Sequence, residues 1–537
     1  MSDGLSGGQL LVEALIEHGV PRLFCVPGES FLAVLDALYD VPEYLPLITC
    51  RHESGAALMA AATAQLTGMP GVCFVTRGPG ATNASIALHV ARQASIPLLL
   101  CVGQVARDNL GRESFQEVDY ETFFAPFAKH VEQITIGEAL PSAVVRALNI
   151  ARSGRPGPVV LALPEDMLSE QVFAVSEPAR PVQRRGLDAA QLEQIKTSLN
   201  QAERPLVIFG GGVTTDAMSR DLEQFARRNR VPVCVAWRRN DAFDNEHACF
   251  AGALGLSAHA QLWTLATETD CVLVVGARLD EPTTRGYTLF KDERARELIH
   301  IYPNQADIGR NYAPTLGICA DIGETLGALA TTTLDPSDAR EAWCRRLRAS
   351  FEAARLPPQV EGGLDPGEVM ASLNRTLPDD TIVSVDAGNF TLWPQRYRSY
   401  QRPGRLLAPI NGAMGWGVPG AIAAALAEPT RRVLGCVGDG GMLMTGMELA
   451  TAAKYGAKPL ILVFNNSKFG TIEMHQDRRY PGRRIANTLV NPDFAAFAQS
   501  FGLFGARVRD NAEFDAILPA ALAADSAAVI ELVMQDV

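Results

Sequence analysis

The sequence has no CxxC pair. Its ten cysteines, at 25, 50, 73, 101, 234, 249, 271, 319, 344 and 436, are scattered and mostly lie inside apolar runs. That spacing excludes a disulfide framework or a structural zinc site and marks small core residues in a reducing compartment. The eight histidines form no HxxxH pair. No apolar run approaches the roughly 20 residues of a membrane-spanning helix, so no membrane role is expected. Positive charge is also scarce: the net charge of −12 argues against a nucleic-acid or acidic-membrane partner. The opening stretch MSDGLSGGQLLVEALIEHG has no basic leader and becomes an amphipathic helix at once, unlike a signal peptide. What remains is the expectation of a soluble cytoplasmic enzyme with small-molecule substrates.

The 537 residues are 47% hydrophobic and 20% charged, an ordinary globular balance with ample core. Two polar, proline-bearing stretches, 176–186 and 331–363, read as linkers and leave units of 1–175, 187–335 and 364–537. Each unit alternates short apolar runs with helical patterns. The expected fold is therefore α/β, with three doubly wound parallel-sheet domains.

The most informative stretch runs from Val433 to Gly470. Val433 to Val437 reads as a buried strand ending at Gly438-Asp439-Gly440, and Gly441 opens into a helical pattern that closes at Gly456. Pro459 to Phe464 is a second strand, ending at Asn465-Asn466. A right-handed crossover puts these strands side by side and parallel. Asp439 and Asn466 then stand at neighbouring carboxyl ends, where open α/β sheets bind ligands. A carboxylate, an amide oxygen and a helix N-terminus suit an anion and a hard cation together, in outline a Mg²⁺–diphosphate site. A lone GDG would be an ordinary turn, but Asn466 follows Asp439 by 27 residues and Lys468 lies two further on.

In the first unit, Leu45 to Cys50 is strand-like. Arg51-His52-Glu53 follows, and Ser54 to about Leu66 is helical. Glu53 beside apolar neighbours would titrate nearer neutrality, although alone it reads as a helix-start glutamate supporting the macrodipole. Val72 to Val75 is a strand, Gly78-Pro79-Gly80 a tight turn and Ala81 to Ala91 a helix. The polar, arginine-rich stretch 471–487 after Gly470 reads as a mobile lid.

These segments resemble a known family. GDG followed by some two dozen residues and NN resembles the thiamin diphosphate signature. RHESGAALMA, GPGATN, SFQE, AKH and NGAMGWG are similar to segments of acetolactate synthases. The resemblance covers nearly the whole chain, in the order pyrimidine, central and diphosphate domain, and points to the acetolactate synthase and pyruvate oxidase group. It implies thiamin diphosphate and Mg²⁺ as cofactors. Glu53 would hydrogen-bond N1′ of the aminopyrimidine and promote loss of the C2 proton, with Gly80 and Asn83 in the adjoining turn. Gly388 and Asn389 would touch the diphosphate. Gly412 and Met414 would lie in the turn whose methionine forces the bent cofactor conformation. Gly438, Asp439, Gly440, Gly441, Asn466, Lys468, Phe469 and Gly470 would hold the diphosphate. The metal would bind Asp439, Asn466 and the Lys468 carbonyl. Phe115, Gln116 and Lys129 would lie near the reacting centre. His475 stands where acetolactate synthases carry a tryptophan favouring 2-oxobutyrate.

The implied reaction is decarboxylation of a 2-oxo acid, with transfer of the resulting carbanion equivalent to a second carbonyl. A simple 2-oxo acid decarboxylase or acyloin lyase, of the benzoylformate decarboxylase or benzaldehyde lyase type, is the alternative. The absence of a His-His pair weighs against pyruvate decarboxylase chemistry. A non-catalytic binding protein of the same fold would not need Glu53. Flavin-containing relatives place FAD in the central unit, where they typically read GARFDDRVTG. GARLDEPTTRG departs from that pattern after Arg278, so FAD is not expected. The family also implies a homodimer or dimer of dimers, with each site shared between subunits.

Overall fold

Runs such as LLLCVGQ and PVVLALP are apolar at almost every position, as befits strands covered on both faces, and both are wholly buried parallel strands. The computed structural model describes residues 4–173, 184–291, 296–358 and 362–534. Three six-stranded parallel sheets carry the fold. The first contains β1 (Leu23–Cys25), β2 (Leu47–Thr49), β3 (Gly71–Val75), β4 (Leu98–Gln104), β5 (His130–Gln133) and β6 (Pro158–Pro164). Its order is β2-β1-β3-β4-β6-β5.

The central sheet contains β7 (Pro205–Phe209), β8 (Val233–Val235), β9 (Phe250–Ala253), β10 (Cys271–Val275), β11 (Glu297–Tyr302) and β12 (Leu316–Cys319). Its order, β9-β8-β7-β10-β11-β12, is that of a dinucleotide-binding sheet. The third contains β13 (Ile382–Val385), β14 (Leu406–Leu407), β15 (Val433–Gly438), β16 (Leu460–Asn465), β17 (Phe504–Val508) and β18 (Ala528–Val533). Its order, β14-β13-β15-β16-β18-β17, repeats that of the first sheet.

The three-sheet α/β fold agrees with the sequence reading, with local differences. Gly78-Pro79-Gly80 is the first turn of helix α1 (Gly78–Ala94), not a loop before it. Proline suits a first helical turn, because its missing N–H would have no partner there. The pattern after Gly441 is a broken helix: Asp439–Thr445, a 3₁₀ turn at Gly446–Glu448, then Leu449–Tyr455. Helix Asp338–Ala354, within the expected linker 331–363, packs on the central domain. There Trp343 and Leu347 are buried and Trp343 Nε1 donates to Pro205 O. Most of the linker expected at 176–186 lies outside the described residues.

The first and third domains share one apolar core. Its centre is the packing of α2 (Glu53–Thr67) on α3 (Gly417–Ala427), two helices rich in alanine and glycine that allow close approach. Glu448, fully buried, fastens this junction: it accepts from Arg51 N, His52 N and Thr451 Oγ1. No helix among the described residues is long and apolar enough to cross a membrane.

Candidate active site

β15 and β16 lie side by side and parallel, so Asp439 and Asn466 follow neighbouring carboxyl ends as the spacing predicts. Asp439 is the first residue of its helix and is 4% exposed. Its Oδ1 accepts from Gly440 N at 2.9 Å and its Oδ2 from Asn491 Nδ2 at 2.8 Å. Burial raises its pKa, opposed by the Asn491 hydrogen bond. A cation beside the carboxylate would reverse that shift.

The other diphosphate-end residues converge here. A Cβ on Gly440 would meet Phe469 at 2.7 Å and the Met414 methyl at 3.2 Å, so both side chains close over this glycine. Gly438 faces Phe390 in the same way, and Gly470 faces Asn466 Nδ2 at 3.1 Å. Asn389 Oδ1 accepts from Thr471 Oγ1, tying the loop after β13 to the start of helix Gly470–Arg479. Gly412, at φ +73°, has open space where a side chain would stand. Gly441 lies against the carboxylate of Asp386, 2.9 Å from a Cβ position.

Asp386 is fully buried and accepts from the backbone N–H groups of Ala387, Gly415 and Gly417. It therefore sets the loop that carries Met414. The sequence reading placed Gly388 and Asn389 of the same turn at the diphosphate and gave Asp386 no role. Asn491 was missed altogether. Its amide bridges Asp439 Oδ2 and Asn465 Oδ1, while its own Oδ1 is buried without a partner. In NPDF the sequence signal is dominated by Asp493, which caps the next helix, so Asn491 reads as part of a helix start.

Asp439, the Asn466 amide oxygen and the Lys468 carbonyl would offer one carboxylate and two neutral oxygens; here the amide oxygen accepts from Lys468 N at 3.3 Å and the carbonyl from Gly470 N at 3.0 Å. The orphan Asn491 Oδ1 adds an acceptor beside them. The chemistry fits Mg²⁺, which takes few protein ligands and completes its shell with phosphate and water. Among the described residues no three His, Cys, Asp or Glu side chains cluster into a metal site.

At the other end, Glu53 is the first residue of α2 and accepts from Asn83 Nδ2 at 2.9 Å. A Cβ on Gly80 would lie 3.4 Å from Glu53 Oε1, which places this glycine against the carboxylate. Glu53 is half-buried and Asn83 exposed, so the apolar enclosure expected around the glutamate is incomplete within one chain.

Among the remaining expected residues, Gln116 lies beside Gly78 in the first turn of α1, near the Glu53 cluster. Gln116 adopts φ +64° and its carbonyl accepts from Gly78 N, while Phe115 is 76% exposed. Lys129 precedes β5, at the edge of the sheet opposite Glu53. Its ammonium donates to the carbonyls of Ile150 and Ser153, and burial lowers its pKa to about 8. His475 is exposed on helix Gly470–Arg479, which buries none of its side chains. The stretch expected as a lid is closed at its base by backbone bonds from Phe469 to Asn487 and from Leu489 to Ser467.

In the central domain, the turns after β7 and β10 touch. A Cβ on Gly211, at φ +143°, would lie 1.8 Å from Gly276 O, and Gly212 faces Ser95 O at 3.2 Å. Arg278 donates to Gln93 O at 2.6 Å and pairs with Asp280. The two glycine turns thus meet at the strand ends where such sheets take a dinucleotide.

Two like parallel domains, one with a GDG–NN pair at neighbouring strand ends and one with a helix-start glutamate bonded by Asn83, define a thiamin diphosphate-binding protein. Comparison with known proteins makes this specific: the chain belongs to the thiamine pyrophosphate enzymes. Its residues 5–123, 192–329 and 386–532 match the N-terminal TPP binding, central and C-terminal TPP binding domains of that family. It is 33% identical to the acetolactate synthase large subunit of Parasynechococcus marenigrum (strain WH8102), over 98% of this chain and 87% of the relative. The acetolactate synthase of Arthrospira platensis is 30% identical, over 96% and 92%, respectively. The large subunit of Lactococcus lactis subsp. lactis (strain IL1403) is 29% identical, over 93% and 87%.

Proposed function

We propose that the protein decarboxylates a 2-oxo acid and joins the product to a second carbonyl, as an acetolactate synthase-type carboligase using thiamin diphosphate and Mg²⁺. The observation that carries this reading is the convergence of Asp439, Asn466, Met414 and Phe469 around the turn after β15. When bound, the cofactor supplies the electron sink for decarboxylation. The protein contributes geometry and proton handling. Asp439, Asn466 and the Lys468 carbonyl would hold the metal and diphosphate. Met414, fixed through Asp386, would press against the bound cofactor and help position it, a case of enforced proximity. Glu53, steadied by Asn83, would exchange a proton with the pyrimidine N1′.

The decisive experiment supplies purified protein with thiamin diphosphate and Mg²⁺ and offers pyruvate, 2-oxobutyrate, benzoylformate and longer 2-oxo acids. Carbon dioxide and acyloin are both measured. Acetolactate from pyruvate is expected; carbon dioxide with aldehyde and no acyloin would support a simple decarboxylase instead.

The reading extends to assembly. Glu53 is only half-buried and Asn83 is exposed in one chain, and Leu443, Met444 and Met447, close after Asp439 in sequence, are exposed apolar side chains. Both features support a homodimer, or a dimer of dimers, in which each site joins Glu53 of one subunit to Asp439 of another. The departure of GARLDEPTTRG from the pattern of flavin-containing relatives after Arg278 supports a protein without flavin. Ten free cysteines, nine of them buried, suit a reducing cytoplasm.

A further inference from the structure

The segment after β8 reads Trp237-Arg238-Arg239-Asn240-Asp241, and all five residues are buried. Four of them are charged or strongly polar, an unusual content for a turn with so little solvent contact. Their hydrogen bonds leave the central domain in two directions. Arg239 Nη2 donates to Ala94 O at 3.1 Å, the last carbonyl of α1, while its Nε donates to Gly211 O at 2.7 Å. Arg155 and Arg278 take the two preceding carbonyls, those of Arg92 and Gln93. Three consecutive carbonyls at the helix end are therefore each held by a different guanidinium, where the helix dipole favours cations. The first turn of α1 carries Gly80, and Asn83 bonds Glu53.

Arg238 points the other way. It donates to Pro409 O at 2.7 Å and to Asp386 O at 3.0 Å. The carboxylate of Asp386 holds Gly415 and Gly417, on either side of the Met414 loop. Asp241 accepts from Arg405 N and Leu406 N and fixes the start of β14, which leads into the same loop. Arg238 adopts φ +56°, a left-handed conformation uncommon for a non-glycine residue. That conformation sends adjacent guanidiniums to different domains.

We infer that this turn is a positioning element for the reaction: Arg239 sets α1 and through it Glu53, and Arg238 sets the Asp386–Met414 loop. The inference rests on the roles proposed above for Glu53 and Met414. With sites shared between subunits, the two arginines of one chain serve two different sites.

The test uses the full-length protein and Arg239→Met, Arg238→Met and their lysine counterparts, which keep charge and most of the volume if the methionine variants fold poorly. Amide hydrogen exchange is measured first, without cofactor. Arg239→Met is expected to speed exchange in residues 88–95 and leave 409–417 unchanged, with the reverse in Arg238→Met. In the loaded enzyme, Arg239→Met should lower kcat by about tenfold or more while substrate KM and cofactor Kd stay within about threefold. Arg238→Met should weaken cofactor binding by about tenfold or more. The lysine variants, keeping one bond each, should recover part of each loss. Exchange that changes in both segments alike or in neither, or an unchanged kcat with a loosened α1, would overturn the proposal. Glu53→Gln is run beside them. Full activity there would sink the Glu53 role and the Arg239 role with it, yet the exchange pattern would still report whether the clamp exists.

Discussion

Single residues at the two site ends are asked to do different work. Glu53 is placed by Asn83 and by the space left at Gly80, and nothing in those contacts requires its charge for folding. Glu53→Gln is expected to keep cofactor binding and lose turnover by about 10²–10³-fold, the range of a lost general acid–base group. Steady-state kinetics beside calorimetric titration of thiamin diphosphate would separate the two effects; near-normal turnover removes Glu53 from the mechanism. Asp439 is the one anionic group proposed to hold the metal. Asp439→Ala should weaken Mg²⁺-dependent cofactor binding by about 100-fold, in line with the roughly 3 kcal/mol lost when a buried charge loses its partner. Equal affinity with and without the carboxylate, by the same calorimetry, would refute the metal site.

Among elements, the α2–α3 junction depends on Glu448. Removing its carboxyl in Glu448→Ala strands the N–H groups of Arg51 and His52 and the Thr451 hydroxyl, at a cost of about 2–4 kcal/mol. Glu448→Gln can still accept from both backbone groups and donate to Thr451, so it should fold well. Burial raises the Glu448 pKa, opposed by those hydrogen bonds, so the folded state favours the protonated form. Its contribution is then complete at acid pH and is lost as pH rises from the ordinary glutamate value of 4.5 through the raised one. Urea midpoints across that range should fall more steeply for the native protein than for Glu448→Gln; parallel curves would show that Glu448 does not titrate there.

Elements of this kind also show what was legible in the sequence. The βαβ unit around Asp439 and Asn466 could be read because its information is local: apolar runs, punctuating glycines and a fixed spacing. Glu53 needed the family resemblance, because a helix-start glutamate is common. Glu448, Asn491, Arg238 and Arg239 carried no usable signal. Each acts by a bond to a residue far away in the chain, and a polar residue in an amphipathic pattern looks the same whether it faces water or a distant carbonyl. The GPG segment was misread because glycine and proline mark turns and first helical turns alike.

At the scale of the molecule, purified protein is expected to be colourless, since GARLDEPTTRG departs after Arg278 from the pattern of flavin-containing relatives. A flavin absorption band, with FAD released on denaturation, would overturn that expectation. The shared-site assembly makes a sharper claim. Glu53→Gln and Asp439→Ala proteins are each inactive, but a hybrid dimer holds one site with both groups intact. Subunit exchange between equal amounts should restore about a quarter of native activity, because half the dimers are hybrids with one working site each. No recovery after demonstrated exchange, or an active monomer by light scattering, would count against it.

The first and third sheets run in the same strand order, and the helices packed face to face between them, α2 and α3, each follow the second strand of their own sheet. Like parts thus meet like parts inside one polypeptide, the contact a two-fold homodimer makes between chains. One scaffold thus occurs twice in the chain and presents its strand ends differently: Glu53 follows the second strand of the first sheet, and Asp439 the third strand of the third. A substitution that loosens the seam between α2 and α3 therefore disturbs both copies together.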